Sequence, residues 1–360
     1  MGDSELKNLK LNNENLRILL VRNDKIGDLV LATPAIRALR ETYPKSYIAM
    51  LVNDYARDVV VGNPDIDEVI VEHKGELNEF LKLLKEVKGR RFDVAIILFP
   101  FFRTALLALL GRIPLRISTG FKFYQFFFNR LIYLRRSKGV KHEIDYNLDL
   151  VRLIGADTIN KKPCIPVSGE DEEYVDRFLK GIGVKNGDIL IGLNPGSGFS
   201  ARKWREEYFG ELAVIFKQRL GAKVLILWGP DERELAEKVL KLSNGTAELA
   251  FETKIKQLAS LIKRCNLIVT NNTGPMHIAA AVGAPMVELF DPKWACSPVR
   301  WGHPENGNII LKPDIDCTKK CNSEECGHFD CMDRITVEMV FAASKNVLAG
   351  KGKLPKNLGF

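Results

Sequence analysis

The sequence predicts an α/β protein made of two doubly wound domains that face a central cleft. Short apolar runs alternate with segments of helical periodicity along most of the 360 residues, which indicates parallel strands joined by crossover helices. A chain of this length exceeds the usual size of one hydrophobic core. A polar stretch with two prolines at 161–168 separates two halves of similar design, so it is interpreted as a linker.

In the first half, apolar runs predict strands at 16–21, 47–52, 68–71 and 92–99. A loop containing Gly27 follows the first strand, and an amphipathic helix follows the loop. This helix either begins at Asp28 and bends at Pro34, or begins at the Thr33–Pro34 pair. The longest apolar run is interrupted by Pro100 and Arg103, so we interpret it as a strand and a helix rather than a membrane span.

In the second half, strands are predicted at 188–193, 223–228, 266–270 and 285–290. Two domains are therefore expected, at 1–165 and at 166–335. Residues 336–360 supply a last helix that is expected to pack back across the junction.

Three loops of the second half follow predicted strands and suit an anion. Gly196 and Ser197 permit close backbone approach, and Lys203 beyond them is either a phosphate ligand or a solvated surface cation. Thr273 and Gly274 begin a small-residue helix whose free N–H groups and dipole suit a diphosphate, with Thr273 as the predicted side-chain cap; a well-capped structural helix is the alternative.

The third loop carries acids instead of extra donors. Glu232 and Glu234 are either ordinary acids at a helix start or ligands of ribose hydroxyls. The loop of the first half also carries an acid, Asp28, directly after Gly27. A phosphate would be repelled there, so Asp28 is predicted to take a proton from another group across the cleft. The alternative is an acid that only stabilises a helix dipole.

The composition is that of a globular protein, with 46% hydrophobic and 27% charged residues, and the net charge of +8 suits an anionic partner. The N-terminus has no apolar segment of a secretory signal, so we expect a cytoplasmic location. Four cysteines crowd one loop, which in a reducing compartment indicates either a structural metal site or a thiol-rich loop without metal. They are Cys317, Cys321, Cys326 and Cys331.

The stretch 120–146 interleaves aromatic and basic residues. It is expected to contact a phosphorylated, lipid-linked saccharide or an anionic membrane, or to form a helix with a buried aromatic face and solvated cations. The candidate ligands of an acceptor phosphate are Arg130, Arg135, Arg136, Lys141 and His142.

Four ordered motifs, RNDKIGDLVLATPAIRAL, PGSGFSARKW, WGPDERELA and NNTGPMHIAAAVGAP, resemble those of glycosyltransferase family nine, the ADP-heptose:lipopolysaccharide heptosyltransferases. The resemblance implies a GT-B fold with two Rossmann-like domains, an inverting mechanism and no required metal or other cofactor. It also implies that Asp28 is the base, that Lys203 contacts phosphate, and that Thr273 and Gly274 contact the diphosphate with His277 close by.

The same resemblance implies ADP-heptose as donor, bound by 166–335, and a lipid-linked, phosphorylated core saccharide as acceptor, bound by 1–165 at the inner face of the inner membrane. The basic residues are dispersed and no nucleic-acid-binding module is recognised, so no nucleic-acid partner is expected. One position departs from the family, because Asn272 stands where an acid is common before Thr-Gly. A different nucleotide sugar therefore stays open as donor. A non-catalytic binder of anions or nucleic acid is the alternative from another functional class.

Overall fold

The computed structural model describes residues 15–73, 75, 77–197, 202–315, 317 and 330–350. The chain forms two compact units. Unit 1 comprises the chain up to Arg136 together with Lys141–Pro166, and unit 2 comprises Ser137–Val140 together with the chain from Val167 onward. The change of unit after Pro166 falls inside the stretch that was interpreted as a linker.

Unit 1 contains a parallel sheet flanked by helices. Its strands are β1 (Arg17–Val21), β2 (Tyr47–Asn53), β3 (Glu68–Glu72), β4 (Val94–Ile97), β5 (Leu115–Thr119) and β6 (Arg130–Ile132). Its α-helices are α1 (Ile26–Val30), α2 (Thr33–Thr42), α3 (Leu77–Arg90), α4 (Phe102–Leu110) and α5 (Glu143–Arg152). The strand order is β3-β2-β1-β4-β5-β6.

Unit 2 repeats this design. Its strands are β7 (Leu190–Asn194), β8 (Lys223–Ile226), β9 (Ala247–Leu249), β10 (Leu267–Asn271), β11 (Met286–Leu289) and β12 (Ile309–Leu311). Its α-helices are α6 (Gly169–Gly181), α7 (Glu206–Leu220), α8 (Arg233–Leu242), α9 (Ile255–Arg264), α10 (Gly274–Val282), α11 (Pro298–Trp301) and α12 (Val337–Leu348). The strand order is β12-β11-β10-β7-β8-β9.

Both sheets have the doubly wound strand order of a Rossmann fold, because each first strand lies in the middle and the chain winds outward from it on both sides. The winding reverses between β1 and β4 in unit 1, and between β7 and β10 in unit 2. Ligands of such sheets bind beyond the carboxyl ends of the strands at this reversal. The prediction of two doubly wound, Rossmann-like halves is confirmed.

The eight predicted strands are all present, with ends shifted by two residues or fewer. Their side chains are buried along nearly their whole length, as expected of strands covered by helices on both faces. Specific residues then set the helix ends. Ser168 and Asp171 form a capping box at the start of α6, and Gly221 and Gly283 end α7 and α10 in the left-handed conformation.

The start of the helix after β1 combines the two alternatives. A short helix, α1, contains Asp28 and ends at Val30, and α2 begins at Thr33. The hydroxyl of Thr33 donates to the carbonyl of Val30 at 2.8 Å and accepts the backbone N–H of Cys164 at 3.0 Å. This hydroxyl therefore ties the break between the two helices to the end of unit 1.

One alternative for the stretch 120–146 was a helix with a buried aromatic face. This alternative is wrong for the residues before Glu143. Residues Phe123–Phe127 and Arg136–Lys138 form 3-10 turns on either side of β6, and α5 begins only at Glu143. Consecutive bulky aromatic residues at 126–128 do not segregate to one helical face, which explains why a strand edge and tight turns form instead.

The C-terminal helix α12 packs within unit 2 against α7 and the neighbouring strands β10, β11 and β12. Thr336 caps its start by accepting the N–H of Met339, and Arg219 of α7 pairs with Glu338 at 2.8 and 3.1 Å. Its packing across the junction stays a prediction. No helix within the described ranges has both the length and the apolar composition of a membrane span.

Candidate active site

A buried arginine organises the carboxyl end of β1 in unit 1. Arg22 is 1% exposed, and its Nε contacts the Asp24 carboxylate at 2.7 Å. Its Nη1 contacts Asn147 at 2.9 Å and Glu143 at 3.1 Å, both on α5, and its Nη2 donates to the carboxylate of Asp28. One guanidinium therefore holds three carboxylates at the point where the winding of the sheet reverses.

A second cation completes this cluster. Arg136 contacts Glu143 at 2.9 Å and Asn147 at 3.3 Å. Burial opposes ionisation of Arg22, but the charges of Asp24, Asp28 and Glu143 raise its pKa above the ordinary value. With both guanidinium groups protonated and three carboxylates ionised, these five side chains carry a formal charge of −1.

Asp28 is fixed by Arg22 and still accessible, a combination that it shares with Asp24. It lies in the first turn of α1, after the buried Gly27, and keeps 16% of its side chain exposed. Glu143, in contrast, is fully buried between the two arginines. The charge of Arg22 favours the carboxylate form of Asp28, and the hydrogen bond from its Nη2 orients that carboxylate. The action of Asp28 as a proton acceptor stays a prediction.

The three loops of unit 2 that were predicted to suit an anion lie next to one another, because they follow the neighbouring strands β10, β7 and β8. Asn271 links two of these loops, since its Oδ1 accepts the backbone N–H of Trp204 at 3.0 Å and its Nδ2 donates to the carbonyl of Pro195 at 2.9 Å. Trp204 is fully buried and donates to the carbonyl of Ile335, so it packs beneath the loop.

The carboxylate of Glu232 lies directly against Gly196. It accepts the backbone N–H of Gly229 at 3.0 Å, and a Cβ placed on Gly196 would lie only 2.2 Å from its Oε1. Glu232 therefore bridges the loops after β7 and β8, whereas Glu234 is exposed on the first turn of α8. Ser197 follows Gly196 and is half-buried. Of the two candidate acids, only Glu232 has its carboxylate within this edge of the sheet.

Substituting Gly196→Ala is expected to weaken ADP binding about tenfold, because the new methyl group displaces the flexible Glu232 carboxylate. The thermal midpoint is expected to change little, since a side-chain end moves rather than backbone. Calorimetric titration with ADP measures the affinity. Gly229→Ala is the matched control, because its methyl group would lie 3.5 Å from Glu232, an ordinary contact. Equal losses in both variants would contradict the expectation.

The helix α10 begins at the carboxyl end of β10, directly after the N-cap residue Thr273. The prediction that the Thr273 side chain caps this helix is wrong, because no N–H of the first turn donates to it. Gly274 is the first helical residue and Pro275 is the second. Thr273 has an extended backbone, and its hydroxyl makes no capping hydrogen bond to the helix. The Thr273 hydroxyl therefore lies at the positive end of the α10 dipole, where an anionic ligand is a suitable partner.

His277 is buried one turn into α10 and belongs to an internal hydrogen-bond network. Its Nδ1 lies 2.9 Å from Nε2 of His303, whose Nδ1 lies 3.2 Å from the carboxylate of Glu305. The backbone N–H of His303 also donates to both carboxylate oxygens of the buried Glu288, at 3.1 and 3.2 Å. The structure therefore gives His277 an internal partner, and its contact with a diphosphate stays a prediction.

Burial raises the pKa of Glu288 to about 8. The folded protein keeps this proton at pH values where the unfolded chain has released it, so the free energy of unfolding is expected to fall as pH rises from about 5 to about 8. Glu288→Gln should flatten that slope in urea titrations at several pH values. The exposed Glu248 of β9 supplies the control, Glu248→Gln, which should leave the slope unchanged.

Lys203 and Asn272 differ in how firmly they are held. Lys203 is half exposed, and its Nζ lies 3.4 Å from Glu206, a weak pair that leaves the ammonium group able to turn to an anion. Asn272 donates through its side-chain amide to the carbonyl of Cys296 at 3.3 Å, and its backbone N–H donates to Leu289. A carboxylate at 272 could not make the first of these bonds.

The five candidate ligands of an acceptor phosphate differ in their surroundings. Arg136 is buried in the cluster around Arg22, and His142 caps α5 by accepting the N–H of Ile144 at 3.3 Å, so both have structural roles. Lys141 pairs with Asp149 at 2.8 Å. The remaining two lie nearer the surface, with Arg130 half-buried on β6 and Arg135 exposed. Contact of any of them with an acceptor phosphate stays a prediction.

The cysteine cluster falls mostly outside the described residues. Cys331 is buried and Cys317 is half-buried, whereas Cys321 and Cys326 lie outside the described ranges. Where the structure describes the chain, no three His, Cys, Asp or Glu side chains converge as a metal set. The structural metal therefore stays a prediction.

The sequence interpretation missed the residues that hold the site in place. Arg22, Glu143 and Asn147 fix Asp28, and Asn271 fixes the loop after β7. One signal was available, because Arg22 directly after β1 and Asn271 at the end of β10 are polar residues at the sheet edge where ligands bind. Glu143 and Asn147 carried a weaker one, since they are four residues apart and therefore share a face of α5.

Comparison with known proteins agrees with this geometry. The family model "Glycosyltransferase family 9 (heptosyltransferase)" matches residues 80–328. The crystal structure of a family 9 glycosyl transferase from Veillonella parvula has a TM-score of 0.81 at 28% identity, covering 93% of this chain and 97% of its own. The E. coli ADP-heptose LPS heptosyltransferase II has a TM-score of 0.75 at 22% identity, covering 94% and 100%.

A curated relative matches at similar length. The lipooligosaccharide heptosyltransferase 2 of Campylobacter jejuni is 27% identical over 332 residues, which is 90% of this chain and 95% of that protein. The family model covers more than half of the chain. The chain belongs to glycosyltransferase family 9, the heptosyltransferases.

Proposed function

We propose that this glycosyltransferase moves a heptose from ADP-heptose to the lipopolysaccharide inner core with inversion at the anomeric carbon. The observation that carries the proposal is the carboxylate of Asp28, which Arg22 orients at the reversal of the first sheet. The names of the E. coli and C. jejuni relatives support heptose as the transferred sugar and a lipopolysaccharide or lipooligosaccharide as its destination.

Unit 2 is the proposed donor-binding half. The backbone at Gly196 and Ser197 and the start of α10 at Thr273 and Gly274 offer N–H groups to the diphosphate, and Lys203 adds a positive charge. The Glu232 carboxylate, held by the N–H of Gly229, is the proposed partner of the ribose hydroxyls. Fixed donors of this kind do the work that a divalent metal does in other transferases, so we propose that no metal is required.

The proposed reaction is a single displacement. The acceptor oxygen forms a bond to C1 of the heptose on the face opposite the nucleotide while the bond from C1 to the β-phosphate oxygen breaks. The acceptor proton passes to Asp28, and ADP departs with the electron pair. General-base assistance of this kind contributes about 10²–10⁴-fold. Lys203 and the amides of Thr273 and Gly274 stabilise the charge that grows on ADP, at about 3–4 kcal/mol per well-placed donor.

Unit 1 is the proposed acceptor-binding half. A lipid-linked, phosphorylated core saccharide is anionic, and the basic residues of the 120–146 stretch complement it. Arg130, Arg135 and Lys141 are the proposed phosphate partners, because Arg136 is occupied within the cluster around Arg22. We place the enzyme in the cytoplasm, at the inner face of the inner membrane where such an acceptor would be presented.

Calorimetric titration with ADP-heptose, GDP-sugars and UDP-sugars tests the donor assignment, with metal content measured on the same sample. ADP-heptose is expected to bind most tightly. Glu232→Gln should weaken its binding about 10- to 100-fold, because a charged partner of the ribose is lost. Glu234→Gln is the matched control and should change nothing. Tightest binding of another nucleotide sugar, or equal effects of the two variants, would contradict the assignment.

A different nucleotide sugar is the second candidate, and Asn272 is the observation that favours it. Its amide is engaged with the carbonyl of Cys296, so this position offers the donor sugar a neutral group that is already hydrogen-bonded. Binding of a non-heptose donor in the same titrations would select this candidate. A non-catalytic binder of anions or nucleic acid does not fit membership of an enzyme family.

A further inference from the structure

A long stretch of unit 1 carries cations without acids. Residues 94–142 contain nine lysines and arginines and no aspartate or glutamate. The same stretch contains eight of the 19 phenylalanines of the chain. Three acids from outside the stretch pair with its cations: Glu72 with Arg103, Glu143 with Arg136 and Asp149 with Lys141. Because nine cations face these three acids, the stretch keeps an excess of positive charge.

Several aromatic rings of this stretch project into solvent. We call the set the aromatic platform: Phe101, Phe102, Phe121, Phe123, Phe126 and Tyr133, all exposed. Phe123 and Phe126 are 74% and 70% exposed. The rings of Phe102 and Phe123 stack with centroids 5.9 Å apart, and Phe121 meets Tyr133 at 5.1 Å. Exposed apolar surface that is grouped in this way indicates an interaction site, whereas single exposed rings do not.

The backbone beneath the aromatic platform is held in place. The hydroxyl of Tyr124 donates to the carbonyl of Pro100 at 2.7 Å, and the N–H of Phe121 donates to Gln125 at 3.1 Å. Arg116 donates to the carbonyl of Phe127 at 2.7 Å. The turn at 123–127 is therefore anchored to the sheet and to the start of α4, so the exposed rings have a fixed backing.

Cations are placed among the rings. Lys122 lies between Phe121 and Phe123 and is exposed, and Arg135 is exposed two residues after Tyr133. Aromatic rings prefer the headgroup level of a bilayer, and lysine and arginine are attracted to anionic headgroups by about 1 kcal/mol each. A purely apolar protein interface would have no use for these cations, since charged residues are depleted from the centres of such interfaces.

We propose that the aromatic platform, with Lys122 and Arg135, docks unit 1 on the interfacial region of an anionic phospholipid bilayer. The rings of Phe123 and Phe126 enter the headgroup region, and the two cations contact lipid phosphates. The inference gives the proposed membrane location a defined surface. It needs no saccharide, so vesicles of plain phospholipid test it separately from the donor and the acceptor.

The test is co-sedimentation of the full chain with phosphatidylcholine vesicles, with and without about a third of phosphatidylglycerol. The wild type is expected to sediment with the anionic vesicles and to stay in the supernatant with the neutral ones. F123S/F126S should lower the partition coefficient about tenfold or more, because two interfacial rings are lost. L77S/I159S is the matched control, since both residues are exposed and lie outside the aromatic platform.

Charge is tested in the same assay. Lys122→Glu should weaken binding to anionic vesicles about fivefold or more, whereas Lys85→Glu on α3 should not. Phe126→Trp gives a second readout with a conservative change, because the native tryptophans at 204, 228, 294 and 301 lie outside the aromatic platform. Quenching of the added tryptophan by brominated lipid is expected.

Three results would overturn the inference. The first is equal binding to neutral and anionic vesicles, and the second is binding that F123S/F126S leaves unchanged while Phe126→Trp is not quenched. The third is a dimer in sedimentation velocity that F123S/F126S dissociates, because the aromatic platform would then be an interface between two copies. Unchanged thermal midpoints in the serine variants exclude misfolding as the cause of lost binding.

Discussion

Asp28→Asn is expected to lower kcat about 10²–10⁴-fold while ADP binds as tightly as before. Asparagine keeps the size of the side chain and can still accept the hydrogen bond from Arg22, so the cluster stays assembled. It cannot take the acceptor proton, and the rate of bond formation falls accordingly. Release of ADP under saturating substrates measures kcat, and calorimetry with ADP measures binding.

Asp24→Asn is the control for this prediction. Asp24 contacts the same guanidinium at 2.7 Å and is about as accessible as Asp28, so its substitution removes the same charge from the same cluster. A purely electrostatic or structural effect would therefore appear in both variants. We expect Asp24→Asn to lose much less activity. Near-normal turnover of Asp28→Asn would refute the base assignment.

Arg22→Leu is expected to lower the free energy of unfolding by about 3–5 kcal/mol, because it leaves buried carboxylates without their cation. Glu143 suffers most, since it is fully buried and would lose one of the two arginines that it contacts. Urea unfolding followed by circular dichroism measures the loss. Adding Glu143→Gln to Arg22→Leu should recover part of it, because the uncompensated buried charge is removed.

Arg57→Leu is the matched control for this stability effect. Arg57 also pairs with two carboxylates, those of Asp54 and Asp58, but its side chain is 54% exposed. Exposed ion pairs contribute about 1 kcal/mol or less, so the variant should stay near the wild type. Similar losses at positions 22 and 57 would show that burial of the cluster around Arg22 adds nothing.

Much of the fold could be predicted because buried parallel strands are continuous apolar runs. The strands that the sequence interpretation missed are β5, β6, β9 and β12. All but β5 have only three residues, and β5 mixes polar with apolar side chains, so neither length nor pattern distinguishes them from loops. Their place in the sheet is set by the pairing partner, which single-sequence patterns do not contain.

The site divides in the same way. Asp28 and the pair Glu232 and Glu234 could be singled out because polar residues that follow a buried strand can be recognised in the sequence. The contacts that hold Asp28 could not be predicted, since Arg22 and Glu143 are 121 residues apart in sequence and meet only when α5 packs beside the sheet. Likewise the choice between Glu232 and Glu234 required the contact of one carboxylate with Gly196, a contact across two loops.

The assignment of Ser137–Val140 to unit 2 limits how these proteins can recombine. The indole of Trp294 donates to the carbonyl of Ser137 at 3.1 Å, and Gly139, at a φ of +52°, faces the hydroxyl of Ser297. If the genes of two relatives were joined once at the linker, Ser137 and Gly139 would come from one relative, and Trp294 and Ser297 from the other. Functional chimaeras should therefore need a second exchange, confined to these four residues, that restores the glycine and its neighbours.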